Sequence, residues 1–169
     1  MSTLRSLSYF VMAALMLFSC SRADDGYSVS QAGQGESAPD FTLLNLQKEP
    51  VTLSSFREEK PVLLFFWATW CPFCRRQIPE LAHLRNQYSP EELEILAIDI
   101  QETSDQVAPY AAQMGMNYTV LLDETAAVSG AYGIVGVPTL VLVDKEGKKI
   151  RTDHALTPEL LSAIRRGIT

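Results

Sequence analysis

Cysteine and histidine are scarce in this chain of 169 residues, which has three cysteines and two histidines. A structural zinc site needs four ligands, usually cysteine or histidine. Cys71 and Cys74 form a C-x-x-C pair. The other candidate ligands stand singly elsewhere in the sequence: Cys20, His83 and His154. The small count disfavours zinc and a framework of structural disulfides, and it leaves the pair free for redox chemistry.

An excess of positive charge is also absent, since the formal net charge is −6. Proteins that bind nucleic acid usually carry a basic patch, so we expect no nucleic-acid partner. The chain shows no internal repeat, and no motif in it calls for a cofactor or a metal. Its length predicts one ordinary domain with additional segments.

Long apolar runs are lacking too. The longest one near the start, Tyr9–Phe18, is too short to span a bilayer comfortably and follows a single cation, Arg5. It ends in Leu17–Cys20, a segment similar to a bacterial lipoprotein signal, although Phe18 is bulkier than that pattern favours. We therefore predict a signal peptide over residues 1–19 and acylation of Cys20. A plain secretory signal or an uncleaved anchor is the alternative.

The next residues are polar and rich in serine, glycine, glutamine and aspartate. Residues 20–36 are thus predicted to comprise the lipidated Cys20 and a flexible tether, and residues 37–169 the folded domain. An exported domain would lie in the periplasm or outside the cell envelope, where disulfides persist. With Cys20 lipidated, the only two thiols of the mature protein would be those of the C-x-x-C pair.

The C-x-x-C pair lies where the apolar run Pro61–Trp67, predicted to be a buried strand, gives way to a helical pattern. A helix N-terminus favours an anion, and this setting lowers a cysteine pKa from about 8.5 to roughly 3.5–7.5. Pro72 fits the first helical turn because its missing N–H is no loss there. We predict that Cys71 attacks and Cys74 resolves. Arg75 and Arg76 add positive charge or simply form a solvated helix face.

Alternating periodicities along the rest of the domain predict an α/β protein with helices on both faces of a sheet. The predicted elements of the first half are an N-terminal hairpin over Ser37–Leu44 and Pro50–Phe56, a helix over Pro72–Tyr88 and a strand over Leu93–Ile100. Those of the second half are a helix over Thr103–Met114, a strand over Tyr118–Leu122, a short helix over Thr125–Tyr132, a hairpin of Thr139–Val143 with Lys148–Thr152, and a last helix that starts after Thr157, with Pro158 in its first turn, and runs to about Arg166. Asp99, near a strand end, is interpreted as a helix cap or loop residue.

A proline directly precedes one predicted strand, in Gly136–Thr139 (GVPT). Proline is tolerated at the first residue of a strand, and this is its plainest interpretation. A cis bond before Pro138 would instead mark a tight turn.

Three motifs together resemble the thioredoxin superfamily, in particular its TlpA/ResA/DsbE-like thiol-disulfide oxidoreductases: Ala38–Phe41 (APDF), Trp67–Cys74 (WATWCPFC) and Gly136–Thr139. The resemblance implies a thioredoxin-like fold with a central mixed sheet, an N-terminal hairpin and a helix–strand insertion over Thr103–Leu122. It also implies a cis bond before Pro138 and a loop there that lies against the cysteine pair. The residues implied to bind substrate are Trp70, Pro72, Phe73, Val137 and Pro138, although Trp70 can also be purely structural.

The sequence departs from the family pattern at two positions. Thioredoxins carry a buried aspartate where this chain has Phe65, and ResA-like members often carry a glutamate where it has Gln77. An amide cannot accept the proton of the resolving thiol as a carboxylate can. Glu80 lies about 240° further round the helix than Cys74 and is a poor substitute. The base for Cys74 is left open.

We expect a membrane-tethered oxidoreductase that exchanges its dithiol with cysteines of exported proteins. The resemblance implies that it acts as a reductase of the cytochrome c maturation type, with electrons from a membrane dithiol donor. Two alternatives remain: a non-catalytic peptide-binding module, and a peroxiredoxin-like peroxide reductase. The latter shares the APDF leader but would need the spacing Pro-x-x-x-Thr-x-x-Cys, which Thr69 and Cys71 do not give.

Overall fold

The computed structural model describes residues 35–168. The predicted signal peptide, Cys20 and all but the last two residues of the predicted tether lie outside the described residues. Those two residues pair with the domain: the Gly35 N–H donates to the Lys149 carbonyl, and the Lys149 N–H donates to the Glu36 carbonyl. The Glu36 carboxylate also lies 3.4 Å from Lys149 Nζ.

Seven strands form one mixed sheet with the order β2-β1-β5-β4-β3-β6-β7. The strands are β1 (Thr42–Asn45), β2 (Pro50–Thr52), β3 (Val62–Trp67), β4 (Glu94–Ile100), β5 (Thr119–Asp123), β6 (Thr139–Val143) and β7 (Lys149–Asp153). The pairs β3–β4 and β4–β5 are parallel, and all the other neighbouring pairs are antiparallel. Leu53–Phe56, predicted as extended, form a short 3-10 helix.

The helices are α1 (Pro72–Gln87), α2 (Ser104–Gln113), α3 (Ala127–Ala131) and α4 (Pro158–Ile168). The first turn of each longer helix explains where that helix begins. Pro72 occupies the first turn of α1, and Thr103 with Gln106 forms a capping box at α2. The Thr157 hydroxyl oxygen accepts the Leu160 N–H at the start of α4. The predicted α/β fold class, hairpins and helices are thus confirmed.

The central strand β3 is buried on both faces, which is why its sequence is a continuous apolar run rather than an alternating one. Its odd-numbered residues join a core built with α1, α2 and α4, and its even-numbered residues join a second core built with α3 and the N-terminal segment. Helices therefore cover both faces of the sheet, as predicted. Within residues 35–168, no helix combines the length and apolarity that crossing a membrane requires.

Asp99 corrects one interpretation of the sequence. It is neither a helix cap nor a loop residue, because it lies inside β4, paired in register with Trp67 of β3. Ile95 and Ala97 of β4 belong to the core beneath α1 and α2. Since side chains alternate along a strand, the Asp99 carboxyl points into that same core. Asp99 is fully buried.

Candidate active site at the start of helix α1

The cysteine pair lies where β3 passes into α1. Cys71 is the N-cap of α1 and Cys74 lies in its first turn, and the two sulfurs form a disulfide with a Cα–Cα distance of 5.3 Å. The Cys74 N–H points at Cys71 Sγ, at 3.1 Å. The arrangement directs one N–H of the helix terminus at the Cys71 sulfur, and the N-terminal end of a helix is the setting that stabilises a thiolate when the pair is reduced.

The two cysteines differ in exposure. Cys71 is 2% exposed and Cys74 is 0% exposed in the disulfide form. Both residues are therefore buried, and the small exposed surface of the pair belongs to Cys71. Because the opening is small, the neighbouring side chains control access to the sulfur.

The predicted cis bond between Val137 and Pro138 is confirmed. The loop before β6 lies against the cysteine pair, with the Val137 carbonyl oxygen 3.6 Å from Cys71 Sγ. In the disulfide this contact is not a hydrogen bond, because Cys71 Sγ carries no hydrogen to donate. Val137 of the cis-proline motif and Cys71 are 66 residues apart in the sequence. The antiparallel pairing of β3 with β6 brings them together.

The side chains beside the disulfide present an apolar surface. Trp70 is 70% exposed and Phe73 is 58% exposed, unusually high values for such large apolar groups. The Arg76 guanidinium stacks over the Phe73 ring at 4.5 Å. Arg76 thus has a packing role that the sequence alone did not indicate.

A groove of about 340 Å³ runs from Trp70 to Val137. Its wall includes Ile100, Ile134 and Val135, and none of its lining residues is charged. Val135 is almost fully exposed. The groove thus includes Trp70 and Val137, two of the residues predicted to contact substrate, together with residues that sequence reasoning missed. Pro72 and Phe73 are exposed beside it, and Pro138 is buried.

Gln77 occupies the position where ResA-like proteins often carry a carboxylate, and here its amide has a structural partner. Its Oε1 accepts the N–H of Leu156, at 2.8 Å, in the loop between β7 and α4. The amide therefore ties α1 to that loop rather than serving as a base. Glu80 is exposed, as expected for its position around the helix.

The same loop supports the cis-proline segment through His154. His154 Nδ1 lies 3.0 Å from the Pro138 carbonyl and 3.3 Å from Thr139 Oγ1. A carbonyl can only accept, so Nδ1 carries the proton. The Thr139 hydroxyl in turn donates to the Gly136 carbonyl at 2.7 Å. Sequence reasoning did not assign His154 to the site, because His154 follows β7 and lies 16 residues after Pro138 in the sequence.

A second group that the sequence analysis missed lies on the other side of the cysteine loop. The Glu102 carboxylate accepts two hydrogen bonds from Thr69, from its N–H at 2.6 Å and from its hydroxyl at 2.5 Å. We call this pair of bonds the Glu102–Thr69 clamp. Because β3 and β4 are parallel neighbours, their carboxyl ends meet, and a search of the residues after each strand could have found the pair.

No group of three or more histidine, cysteine, aspartate or glutamate side chains is placed to hold a metal ion within residues 35–168. The chemistry that the described site supports is carried by the two sulfurs and by the groups around them.

Comparison with known proteins agrees with this geometry. The family model described as the AhpC/TSA family matches residues 34–152. The thiol-disulfide oxidoreductase ResA of Bacillus thuringiensis subsp. konkukian is 33% identical over 117 residues, 69% of this chain and 67% of that protein. ResA of Geobacillus thermodenitrificans is 37% identical over 114 residues, 68% of this chain and 65% of that protein.

Solved structures agree as well. The crystal structure of a protein described as a thiol:disulfide interchange protein DsbE from Chlorobium tepidum superposes with a TM-score of 0.70 at 28% identity, covering 80% of this chain and 94% of that one. The chain belongs to the AhpC/TSA family and is a thioredoxin-like thiol-disulfide oxidoreductase of the type named ResA and DsbE.

Proposed function

We propose that the chain is an exported, lipid-anchored oxidoreductase that reduces disulfides in other exported proteins through Cys71 and Cys74. One observation carries the proposal: Cys71 Sγ lies at the N-terminus of α1, near the Cys74 N–H and the Val137 carbonyl, beneath an exposed apolar surface. This arrangement combines a stabilised thiolate with a place for a substrate chain.

The reaction follows from the two positions. In the reduced protein the Cys71 thiolate attacks one sulfur of a substrate disulfide, the S–S bond breaks, and the other substrate sulfur leaves as a thiolate. The Cys74 thiolate then attacks Cys71 Sγ and expels the second substrate sulfur. The substrate gains two electrons, and the protein is left with the Cys71–Cys74 disulfide. A membrane dithiol donor would return the two electrons.

The surface around Cys71 suggests the class of substrate. Val137 directly precedes β6, so an extended substrate segment could pair with its backbone as an added strand. Trp70, Pro72 and Phe73 would contact the residues that flank the substrate cysteine, and Pro138 would fix the loop. The uncharged groove favours an apolar residue next to that cysteine. An unfolded apoprotein, such as an apocytochrome c with its haem-binding cysteines, offers such a segment.

Export and anchoring rest on the sequence. The apolar run Tyr9–Phe18 and the segment Leu17–Cys20, which overlaps its end, support a lipoprotein signal, with Cys20 acylated and the domain held in the periplasm or outside the envelope. The domain would then lie close to a membrane electron donor and to newly exported proteins. Its reductase activity would break disulfides that the oxidising compartment forms in those proteins.

The test is covalent trapping of substrates in the host cell. In the Cys74→Ser variant the resolving thiol is gone, so Cys71 should stay joined to its substrates, visible as high-mass bands that disappear on reduction. The matched Cys71→Ser variant should form almost none. A folded, abundant Cys74→Ser protein without adducts would contradict the proposal. A peptide-binding module would instead keep its partners after Cys71→Ser.

The reduction potential of the Cys71–Cys74 couple tests whether the protein reduces or oxidises its substrates. A value near about −270 mV would be thioredoxin-like and reducing, whereas about −120 mV would make the protein a strong oxidant. Equilibration with a glutathione or dithiothreitol buffer measures it. The second result would overturn the reductase assignment while leaving the exchange chemistry intact.

A further inference from the structure

Two acidic side chains lie buried beneath the loop that carries Cys71. Glu102 is 6% exposed and Asp99 is 0% exposed. Glu102 holds Thr69 through the Glu102–Thr69 clamp, two residues before Cys71. Neither Asp99 carboxyl oxygen has a partner within hydrogen-bond geometry, although the Glu102 side chain is close enough to raise the pKa of Asp99. A buried polar group left without a partner is rare in folded proteins and calls for an explanation.

Among residues 35–168, no cation neutralises the pair. The elements packed around Asp99 are β3, β5, α1 and α2, and neither β3, β4, β5 nor α2 contains a lysine or an arginine. On α1, Arg75 and Arg76 are exposed, and Arg85 bonds the carbonyls of Tyr88 and Leu93 at the far end. The other titratable groups on the surrounding elements are Cys71 at the N-cap of α1 and Cys74, Glu80 and His83 within it, of which Glu80 and His83 are exposed. On α2 they are the exposed Asp105 and the half-buried Tyr110. On β5, Asp123 is turned away to accept the Val128 and Ser129 N–H groups.

A proton therefore takes the place of the missing cation. Two carboxylates cannot both stay ionised side by side in a core, because each would be desolvated and would repel the other. Burial, with the charge of Glu102 in second place, raises the pKa of Asp99 from its ordinary value to about 8. The Glu102 carboxyl oxygens accept two hydrogen bonds from Thr69, whereas the Asp99 oxygens accept none. Asp99 is the acid that keeps its proton at neutral pH.

We propose that Asp99 is a proton-holding positioning residue, whose neutral carboxyl lets the Glu102–Thr69 clamp fix the loop that presents Cys71. When Asp99 ionises, a second negative charge appears beneath that loop. It repels Glu102, weakens the clamp and disfavours the Cys71 thiolate. The inference rests on the proposed role of Cys71 as the attacking thiol. It adds to the groups that control Cys71 an acid, Asp99, that lies on β4 and outside the C-x-x-C motif.

The experiment measures the alkylation rate of Cys71 by iodoacetamide as a function of pH. The reduced full chain is used in a Cys74→Ser background, and peptide mass analysis separates Cys71 from Cys20. The parent should titrate as two coupled groups, one of them with an inflection near pH 8. Below the pKa of Cys71, each unit by which that pKa rises lowers the thiolate fraction about tenfold.

Two near-isosteric variants and one control decide the result. Asp99→Asn should give a curve with a single ionisation. Glu102→Gln should move the second inflection below pH 8, since it removes the neighbouring charge. Asp105→Asn removes an exposed acid of α2 and should keep the parent curve. If Asp99→Asn does not fold, Glu102→Gln and the infrared band of the protonated carboxyl decide instead.

The failures of the two proposals are distinguishable. A parent curve with a single ionisation, or a second inflection that persists in Asp99→Asn, overturns the role of Asp99 and leaves the exchange chemistry intact. A Cys71 that reacts no faster than free cysteine at any pH overturns the proposed function itself.

Discussion

The buried acid Asp99 makes a quantitative prediction about stability. Asparagine has nearly the shape of a neutral aspartic acid, so Asp99→Asn removes the titration while changing the packing little. In the folded protein the pKa of Asp99 is raised to about 8 from an ordinary value of 3.8. The folded state therefore binds one proton more than the unfolded state between these pH values. Because of this, the free energy of unfolding should fall as pH rises through the interval.

The size of the effect follows from the same two values. Each pKa unit corresponds to about 1.4 kcal/mol. Relative to strongly acidic solution, Asp99 should cost about 4 kcal/mol at pH 7 and about 6 kcal/mol above pH 9. The difference in unfolding free energy, Asp99→Asn minus wild type, should therefore grow with a slope of about 1.4 kcal/mol per pH unit between pH 4 and pH 8. Taking the difference cancels the titration of all the other groups that the substitution leaves alone.

The assay is urea unfolding of the oxidised proteins, followed by tryptophan fluorescence at several pH values. Asp105→Asn is the matched control, since it removes an acid from the exposed face of α2 and should run parallel to wild type. A constant difference between Asp99→Asn and wild type from pH 4 to pH 8 would show that Asp99 is ionised in the folded protein. The argument from burial would then be refuted.

Three further predictions concern other parts of the chain. The substitution Gln77→Glu keeps an acceptor for the Leu156 N–H and adds a base one helical turn from Cys74. It should speed the release of a mixed disulfide at pH 7 by up to about 100-fold in single-turnover assays. An unchanged rate would show that another group already takes the proton of Cys74. The substitution His154→Ala removes a hydrogen-bond donor to the Pro138 carbonyl. It should raise the KM for a peptide substrate about fivefold and leave the alkylation rate of Cys71 unchanged, and His154→Asn should restore the KM. An equal loss in the KM and in the alkylation rate would indicate general disruption of the fold. Cys20→Ser should release the protein from the membrane fraction, measured by fractionation and immunoblotting, and retention there would contradict the lipid anchor.

Most of the fold was predictable because its signals are local. The buried run of β3, the helical periodicity of α1 and the glycine turn between β6 and β7 each predicted the observed element to within a residue or two. Leu53–Phe56 were wrongly predicted as extended because a short polar segment with two aromatic or apolar ends has no distinct period. The strand β4 was predicted at its observed place, yet Asp99 within it was misread, because an acid at a strand end usually faces solvent.

The site divides in the same way. The C-x-x-C pair and the motif around Pro138 were recognisable as residue patterns, and the structure places them in contact. His154 and the second role of Gln77 were not recognisable, because each acts through a residue 16 or 79 positions away. Glu102, which acts through a residue 33 positions away, could be found only by assuming that β3 and β4 are parallel neighbours. No local pattern specifies such pairs. They follow from strand order and register.

The amino-acid sequence by itself determined the chemistry of the two sulfurs, because the spacing of the cysteines, Pro72 and the strand-to-helix change are local properties of a short segment. The tertiary structure alone decided which groups surround those sulfurs. Parallel pairing of β3 with β4 placed Asp99 and Glu102 beneath the cysteine loop, and the hairpin of β6 and β7 brought His154 to the cis-proline segment. The physical reason is that burial and charge pairing depend on distances in space, which one-dimensional spacing does not set.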